Sequence, residues 1–108
     1  RGGFKVYSVE LEYVLVSHPD IAEAAVFGVP DALAFEAVVA HVVPAAGRSV
    51  EPADVQAWVA ARMADYAVPR YVRVVEAISR NRTGKVDKRA LREAFLAELA
   101  AGGGKGRP

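Results

Sequence analysis

The chain of 108 residues contains no cysteine. That excludes a disulfide framework and any thiolate metal site, and it makes a cytoplasmic protein the expectation. Histidine occurs twice, at His18 and His41, far apart and without clustered carboxylates, so no metal-ligand spacing is present. No serine has an evident histidine and aspartate partnership for nucleophilic catalysis. No apolar run approaches the roughly 20 residues that span a bilayer, so no membrane span is expected. Neither sign of charge dominates: 14 Lys and Arg face 13 Asp and Glu, for a net charge of +1. That balance supplies no global attraction to nucleic acid or to an anionic membrane. The first residue is arginine, and Arg1-Gly2-Gly3-Phe4 reads as the middle of a loop. The chain is therefore expected to be cut from a longer protein or to be a stand-alone piece that works in trans.

What is present suits one α+β domain with a modest core, 53% of the residues being hydrophobic. Phe4–Tyr7 alternates like a short strand, the second arm of an N-terminal β-hairpin. Ser8 is placed to cap a helix carrying Leu11, Val14 and Leu15 on its apolar stripe, stopped at Pro19-Asp20. Residues 21–29 and 35–43 read as strands, with Gly28-Val29-Pro30-Asp31 as a turn between them. Pro52 opens a helix carrying Val55, Trp58, Val59 and Met63. Tyr71–Val75 reads as a third strand. Asp87 is placed to cap a last helix with Leu91, Phe95 and Leu99 on its stripe. Trp58, Phe95, Val26 and Val39 are the expected core. Residues 1–100 form the expected domain, and 101–108, rich in glycine, a frayed tail.

The charge is uneven in one place. Between residues 80 and 92 stand six Lys or Arg and a single acid, Asp87. Within this run Gly84-Lys85 lacks the earlier glycine and the following Ser or Thr of a phosphate-binding P-loop. On residue types alone, Lys85 reads as a solvated surface lysine, and Asn81-Arg82-Thr83 as a chance glycosylation pattern. The paired glycines Gly2-Gly3 would let a backbone approach a ligand closely, or would simply be a flexible loop end. His41 reads as a satisfied residue within the sheet, and His18 as a surface residue at a helix end.

Four segments in order change this picture. Gly2-Gly3-Phe4-Lys5-Val6-Tyr7-Ser8-Val9-Glu10-Leu11-Glu12 resembles the "GGxxVYPxEVE" segment of acyl-CoA synthetases. His18–Val26 with Gly28-Val29-Pro30-Asp31 resembles their "HPxVxEAAVVGVPD". Tyr66-Ala67-Val68-Pro69-Arg70 resembles "YKVPR", and Arg80–Leu91 resembles the closing "PRNxTGKxxKRxL". The match covers about residues 1–96 and is similar to the small C-terminal domain of adenylate-forming enzymes, the superfamily of acyl-CoA synthetases, luciferases and peptide-synthetase adenylation domains. Ser8 and Ser79 stand where the family usually has proline.

The resemblance implies a two-step ligase. A small-molecule carboxylic acid reacts with Mg-ATP to give an acyl-adenylate, and coenzyme A then displaces AMP. It implies Lys85 as the catalytic lysine, with Gly84 and Arg82 supporting its loop. It implies Gly2, Gly3, Phe4 and Lys5 along the channel for the pantetheine arm, and Arg62 and Arg70 near the phosphates of coenzyme A. It further implies that ATP, magnesium and the acyl group are bound mainly by a large N-terminal domain absent from these residues. The chain alone is thus expected to be inactive, its principal partner being its own N-terminal adenylation domain. Two rivals stand beside this reading: another adenylate-former, such as an acyl-AMP ligase or a luciferase-like enzyme, and a small module that binds a polyanion through the basic run. The near-neutral overall charge speaks against the second, and no nucleic-acid partner is expected.

Overall fold

The computed structural model describes residues 3–31 and 35–102. In chain order it contains α1 (Gly3–Val16), β1 (Ile21–Asp31), β2 (Phe35–Pro44), α2 (Pro52–Ala60), a 3₁₀ turn (Asp65–Ala67), β3 (Tyr71–Val74) and α3 (Lys88–Ala101). The α+β class is as expected, with a three-stranded sheet in the order β1-β2-β3. β1 and β2 run antiparallel, with Val26 opposite Ala40 and Phe27 opposite Val39. β2 and β3 run parallel, with Val39 opposite Tyr71 and Val42 opposite Val74. A parallel pair needs a crossover, and α2 supplies it.

Alternation along the strands sends residues to two different helical layers. Val26, Val38, Ala40 and Val42 pack with Leu11 and Leu15 of α1 and with Val55 and Val59 of α2. Ala25, Phe27, Val29, Ala37 and Val39 pack on the opposite face with Ile78 and with Leu91 and Phe95 of α3. Both faces are covered, which is why β1 and β2 read as nearly continuous apolar runs. Phe95, Val26 and Val39 are core residues as expected.

Four expectations are corrected. Phe4–Tyr7 is not a strand and forms no hairpin; its backbone belongs to α1, and Ser8 lies inside the helix, buried to 4% exposure, rather than capping it. A proline at position 8 would lack the N–H that an interior helical turn requires and would clash with the preceding turn. Serine keeps the donor, so the helix extends toward Gly3. Gly28–Asp31 is not a turn but the end of β1. β1 is an edge strand, and Val26 N–H and Gly28 C=O both bond side chains outside the sheet. Pro30 follows at the same parity, so its missing N–H falls on the open edge, where no ladder bond is lost. Trp58 is half-buried, its indole N–H donating to Val14 O at 2.8 Å. α3 runs through Ala101, and residues 103–108 lie outside the described residues.

The fourth correction concerns His41. It lies on the α3 face of β2, 5.1 Å from the Phe27 ring and 6.5 Å from that of Phe95. Its Nε2 is buried without a hydrogen-bond partner among the described residues. Burial, and next the Arg73 guanidinium, lower its pKa from the ordinary 6.5, against a smaller opposing pull from Glu98. The unfolded imidazole takes up a proton near pH 6.5 while the folded one resists it. The contribution is thus fully present above about pH 6.5 and is lost as the pH falls toward the lower folded value. His41→Leu is expected to flatten that acid-side decline and to be neutral or stabilising, because an unpartnered buried polar atom costs about 1–3 kcal/mol. Thermal midpoints of the two proteins between about pH 5 and 8 check this; parallel curves would refute it.

Candidate functional site

The basic run lies in the connection from β3 to α3. Arg80 and Val86 form an isolated antiparallel bridge, and Asp87 N–H donates to Ser79 O at 3.0 Å. Between them the chain turns in a tight loop. Asn81 N–H donates to Lys85 O at 2.8 Å, and Gly84 N–H to Asn81 O at 3.0 Å. Gly84 has φ of +88°, a conformation in which a side chain is strained.

Asn81 organises the loop interior. Its Oδ1 accepts from Thr83 N–H at 2.9 Å, Thr83 Oγ1 at 2.7 Å and Lys85 N–H at 3.1 Å. Asn81-Arg82-Thr83, which scans as a glycosylation pattern, is here a structural turn whose asparagine is already engaged. Arg80 organises the exterior. Its Nη1 donates to Gly84 O at 3.0 Å and its Nη2 to Glu23 Oε1 of β1 at 3.2 Å.

Beyond the loop, Asp87 caps α3 as expected, its Oδ1 accepting from Ala90 N–H at 3.0 Å. Lys88 Nζ lies 2.8 Å from Glu12 Oε2, which also accepts from Val26 N–H at 2.8 Å. Arg92 Nε donates to Gly28 O at 3.0 Å, and Arg89 faces Glu93 one turn on. The six cations of the run therefore divide. Arg80, Lys88, Arg89 and Arg92 have partners. Lys85 and Arg82 are exposed and have no ion-pair partner among the described residues. Lys85 is thus a solvated ammonium on a loop whose backbone is held on both sides.

Of the other expected site residues, the described ones lie on other elements than this loop. Arg62 follows α2, in the layer across the sheet from α3. Its guanidinium lies 3.3 Å over the Trp58 ring, and its Nη1 donates to Trp58 O at 3.1 Å. Trp58 also meets His18, the ring centroids 4.6 Å apart, so that histidine is partly covered and accepts from Asp20 N–H at 3.0 Å. Arg70 is exposed just before β3, its guanidinium 5.7 Å from the Tyr71 ring. Gly3, Phe4 and Lys5 form the first turn of α1, and Gly2 lies outside the described residues. Near that turn Tyr7 packs edge-on to Tyr66, and burial, then Glu36 and Tyr66, raise its phenol pKa. Glu23 and Asn81 were missed at the sequence level. Asn81 carried a readable signal, an asparagine two residues before threonine and three before glycine; Glu23 carried none, because its partner stands 57 residues away.

The comparisons bear on this geometry. Residues 10–85 match the model of the AMP-binding enzyme C-terminal domain family. The chain is 43% identical over 97 residues to the 4-coumarate--CoA ligase-like 9 protein of rice, Oryza sativa subsp. japonica, covering 90% of this chain and 18% of that protein. It is 42% identical over 94 residues to the human mitochondrial malonate--CoA ligase ACSF3, covering 87% of this chain and 16% of that protein. Among solved structures, the amide bond synthetase McbA from Marinactinospora thermotolerans superposes with a TM-score of 0.78 at 43% identity, over 82% of this chain and 18% of that one. Apo MatB from Rhodopseudomonas palustris superposes with a TM-score of 0.80 at 35% identity, over 85% and 18%. The chain thus spans less than a fifth of the length of these relatives.

Asn81→Ala removes the acceptor of three bonds and is expected to speed amide exchange at Thr83 and Lys85 while leaving α3 protected. Hydrogen exchange resolved by residue checks this; unchanged rates at both amides would refute the role given to Asn81.

Proposed function

This chain belongs to the AMP-binding enzyme C-terminal domain family, and from that membership we propose that it is the C-terminal domain of an acyl-CoA synthetase, with Lys85 as its catalytic lysine. The observation that carries the proposal is the exposed ammonium of Lys85, without an ion-pair partner among the described residues, standing beside Gly84 on a pre-formed loop, where the family motif has its lysine. CoA ligases among the relatives support coenzyme A as the acceptor.

In the first step a carboxylate oxygen of the acid attacks the α-phosphorus of ATP, and pyrophosphate leaves. Two anions meet, and negative charge grows on the α-phosphate oxygens. An ammonium between them stabilises that charge and aligns the reactants. In the second step the thiol sulfur of coenzyme A attacks the acyl carbonyl, and AMP leaves. We assign Gly2, Gly3, Phe4 and Lys5 to the channel that admits the pantetheine arm, and Arg62 and Arg70 to its phosphates. The lysine loop leads into α3, whereas Gly3–Lys5 and Arg62 belong to the α1–α2 layer across the sheet, which supports use of two different faces in the two steps.

Among the described residues no cluster of three or more His, Asp and Glu could hold a metal ion. We assign magnesium, with ATP and the acyl group, to a large N-terminal domain, as the resemblance implies. Residues 1–100 form the mobile C-terminal domain in this reading, and 101–108 its tail. No described helix is long and apolar enough to cross a membrane. The cytoplasm is the proposed compartment, although three relatives, the malonate--CoA ligases, are named as mitochondrial.

In the full-length protein, Lys85→Ala is expected to slow carboxylate-dependent pyrophosphate release by on the order of a hundredfold or more, while thioester formation from a supplied acyl-adenylate persists. Equal loss in both half-reactions would overturn the role. Gly3→Leu is expected to act in reverse, impairing the coenzyme A step and sparing adenylation; unchanged coenzyme A kinetics would remove Gly3 from the channel. Adenylate formed with no coenzyme A product in the parent protein would point to an acyl-AMP ligase instead.

A further inference from the structure

We propose that Glu23 and Arg80 form a positioning strut that aims Lys85. The proposal rests on Lys85 being the adenylation cation. The connection from β3 to α3 pairs with itself, through the Arg80–Val86 bridge and the Asp87–Ser79 and Asn81–Lys85 bonds, and none of these bonds ties the loop tip to the sheet. What fixes it is the peptide between Gly84 and Lys85. That peptide is planar, so holding Gly84 O and Lys85 N fixes where the Lys85 side chain begins. Arg80 Nη1 holds the oxygen at 3.0 Å, and Asn81 Oδ1 holds the N–H at 3.1 Å.

Asn81 belongs to the loop and moves with it. Val86 packs on the core cluster below the loop, and of the loop's polar side chains it is Arg80 that reaches outside, its Nη2 meeting Glu23 Oε1 at 3.2 Å on the edge strand β1. Its two donors thus bridge the frame of the domain to the peptide that carries the lysine, a task suited to the rigid guanidinium fork. Without Glu23 the outer end of the fork has only water to hold it. The pair is nearly half exposed on both sides, 47% and 45%, so its effect on global stability is small. Its effect on geometry is not, because the reacting groups must be aligned to within a fraction of an ångström.

The experiment compares Glu23→Ala and Glu23→Gln in the full-length protein, in the parent and Lys85→Ala backgrounds. Three readouts are taken: pyrophosphate release with the carboxylate, thioester formation from supplied acyl-adenylate and coenzyme A, and thermal unfolding. Glu23→Ala is expected to lower kcat for pyrophosphate release by about tenfold with KM for ATP unchanged. Glu23→Gln, which keeps an oxygen acceptor, is expected to retain most of the rate. Thioester formation and the unfolding midpoint should not move, and Glu23→Ala should add no further loss once Lys85 is gone. Full activity of Glu23→Ala, with Lys85→Ala still impaired, would overturn the strut and spare the lysine. Equal loss in both half-reactions, or a lowered midpoint, would reduce Glu23 to a structural residue and also overturn it. If Lys85→Ala leaves pyrophosphate release intact, the lysine assignment fails and the strut with it.

Discussion

The open edge of β1 is the constraint on which the rest of the domain depends. An edge strand presents N–H and C=O groups that the sheet does not use, and left bare they invite pairing with another chain. Here side chains close it. Glu12 of α1 takes the Val26 N–H, and Arg92 of α3 reaches the Gly28 carbonyl. Because Glu12 also holds Lys88, the two helical layers are joined around this edge and not only through the sheet. Glu23, two residues into the same strand, anchors the lysine loop through Arg80. One strand therefore carries the contacts that cover its open edge, join the two helical layers and meet the lysine loop.

This arrangement explains what could be read from the residues and what could not. The strands were legible because β1 and β2 are buried on both faces, so their apolar character needs no partner information. α2 and α3 were legible from Pro52 at one start and Asp87 at the other, each acting within its own turn. The errors fall where a local signal is overruled from a distance. Gly28-Val29-Pro30-Asp31 has turn composition, yet proline is tolerated because this part of β1 lies at an edge. Phe4–Tyr7 alternates like a strand, yet serine in place of proline at position 8 lets the helix through. Trp58 lies at helical spacing with Val55 and Val59, yet its indole N–H needs an acceptor and finds one at the end of α1.

The site shows the same division. The lysine and its glycine are local features, and their identity came from collinear motifs rather than from charge or spacing. The residues that hold them are of two kinds. Asn81 acts over two to four residues, so its role could have been seen in the pattern Asn-x-Thr-Gly. Glu23 acts across the fold, and only the register of β1 against the loop reveals it.

The density of positive charge between residues 80 and 92 first suggests a surface for anions, but the structure apportions that charge. Arg80, Lys88 and Arg92 are turned inward to carboxylates and carbonyls that belong to β1 and α1, and Arg89 is matched along its own helix. What remains outward is Lys85, with Arg82, on either side of Thr83 and Gly84. A lysine already paired with a carboxylate would have to break that pair before meeting a phosphate, and the cost would fall on the reaction. Neighbouring arginines and lysines that satisfy the local acids leave Lys85 uncommitted. The basic run is thus less a charged patch than a stretch in which four of six cations are matched within the domain, and Lys85 and Arg82 are left exposed.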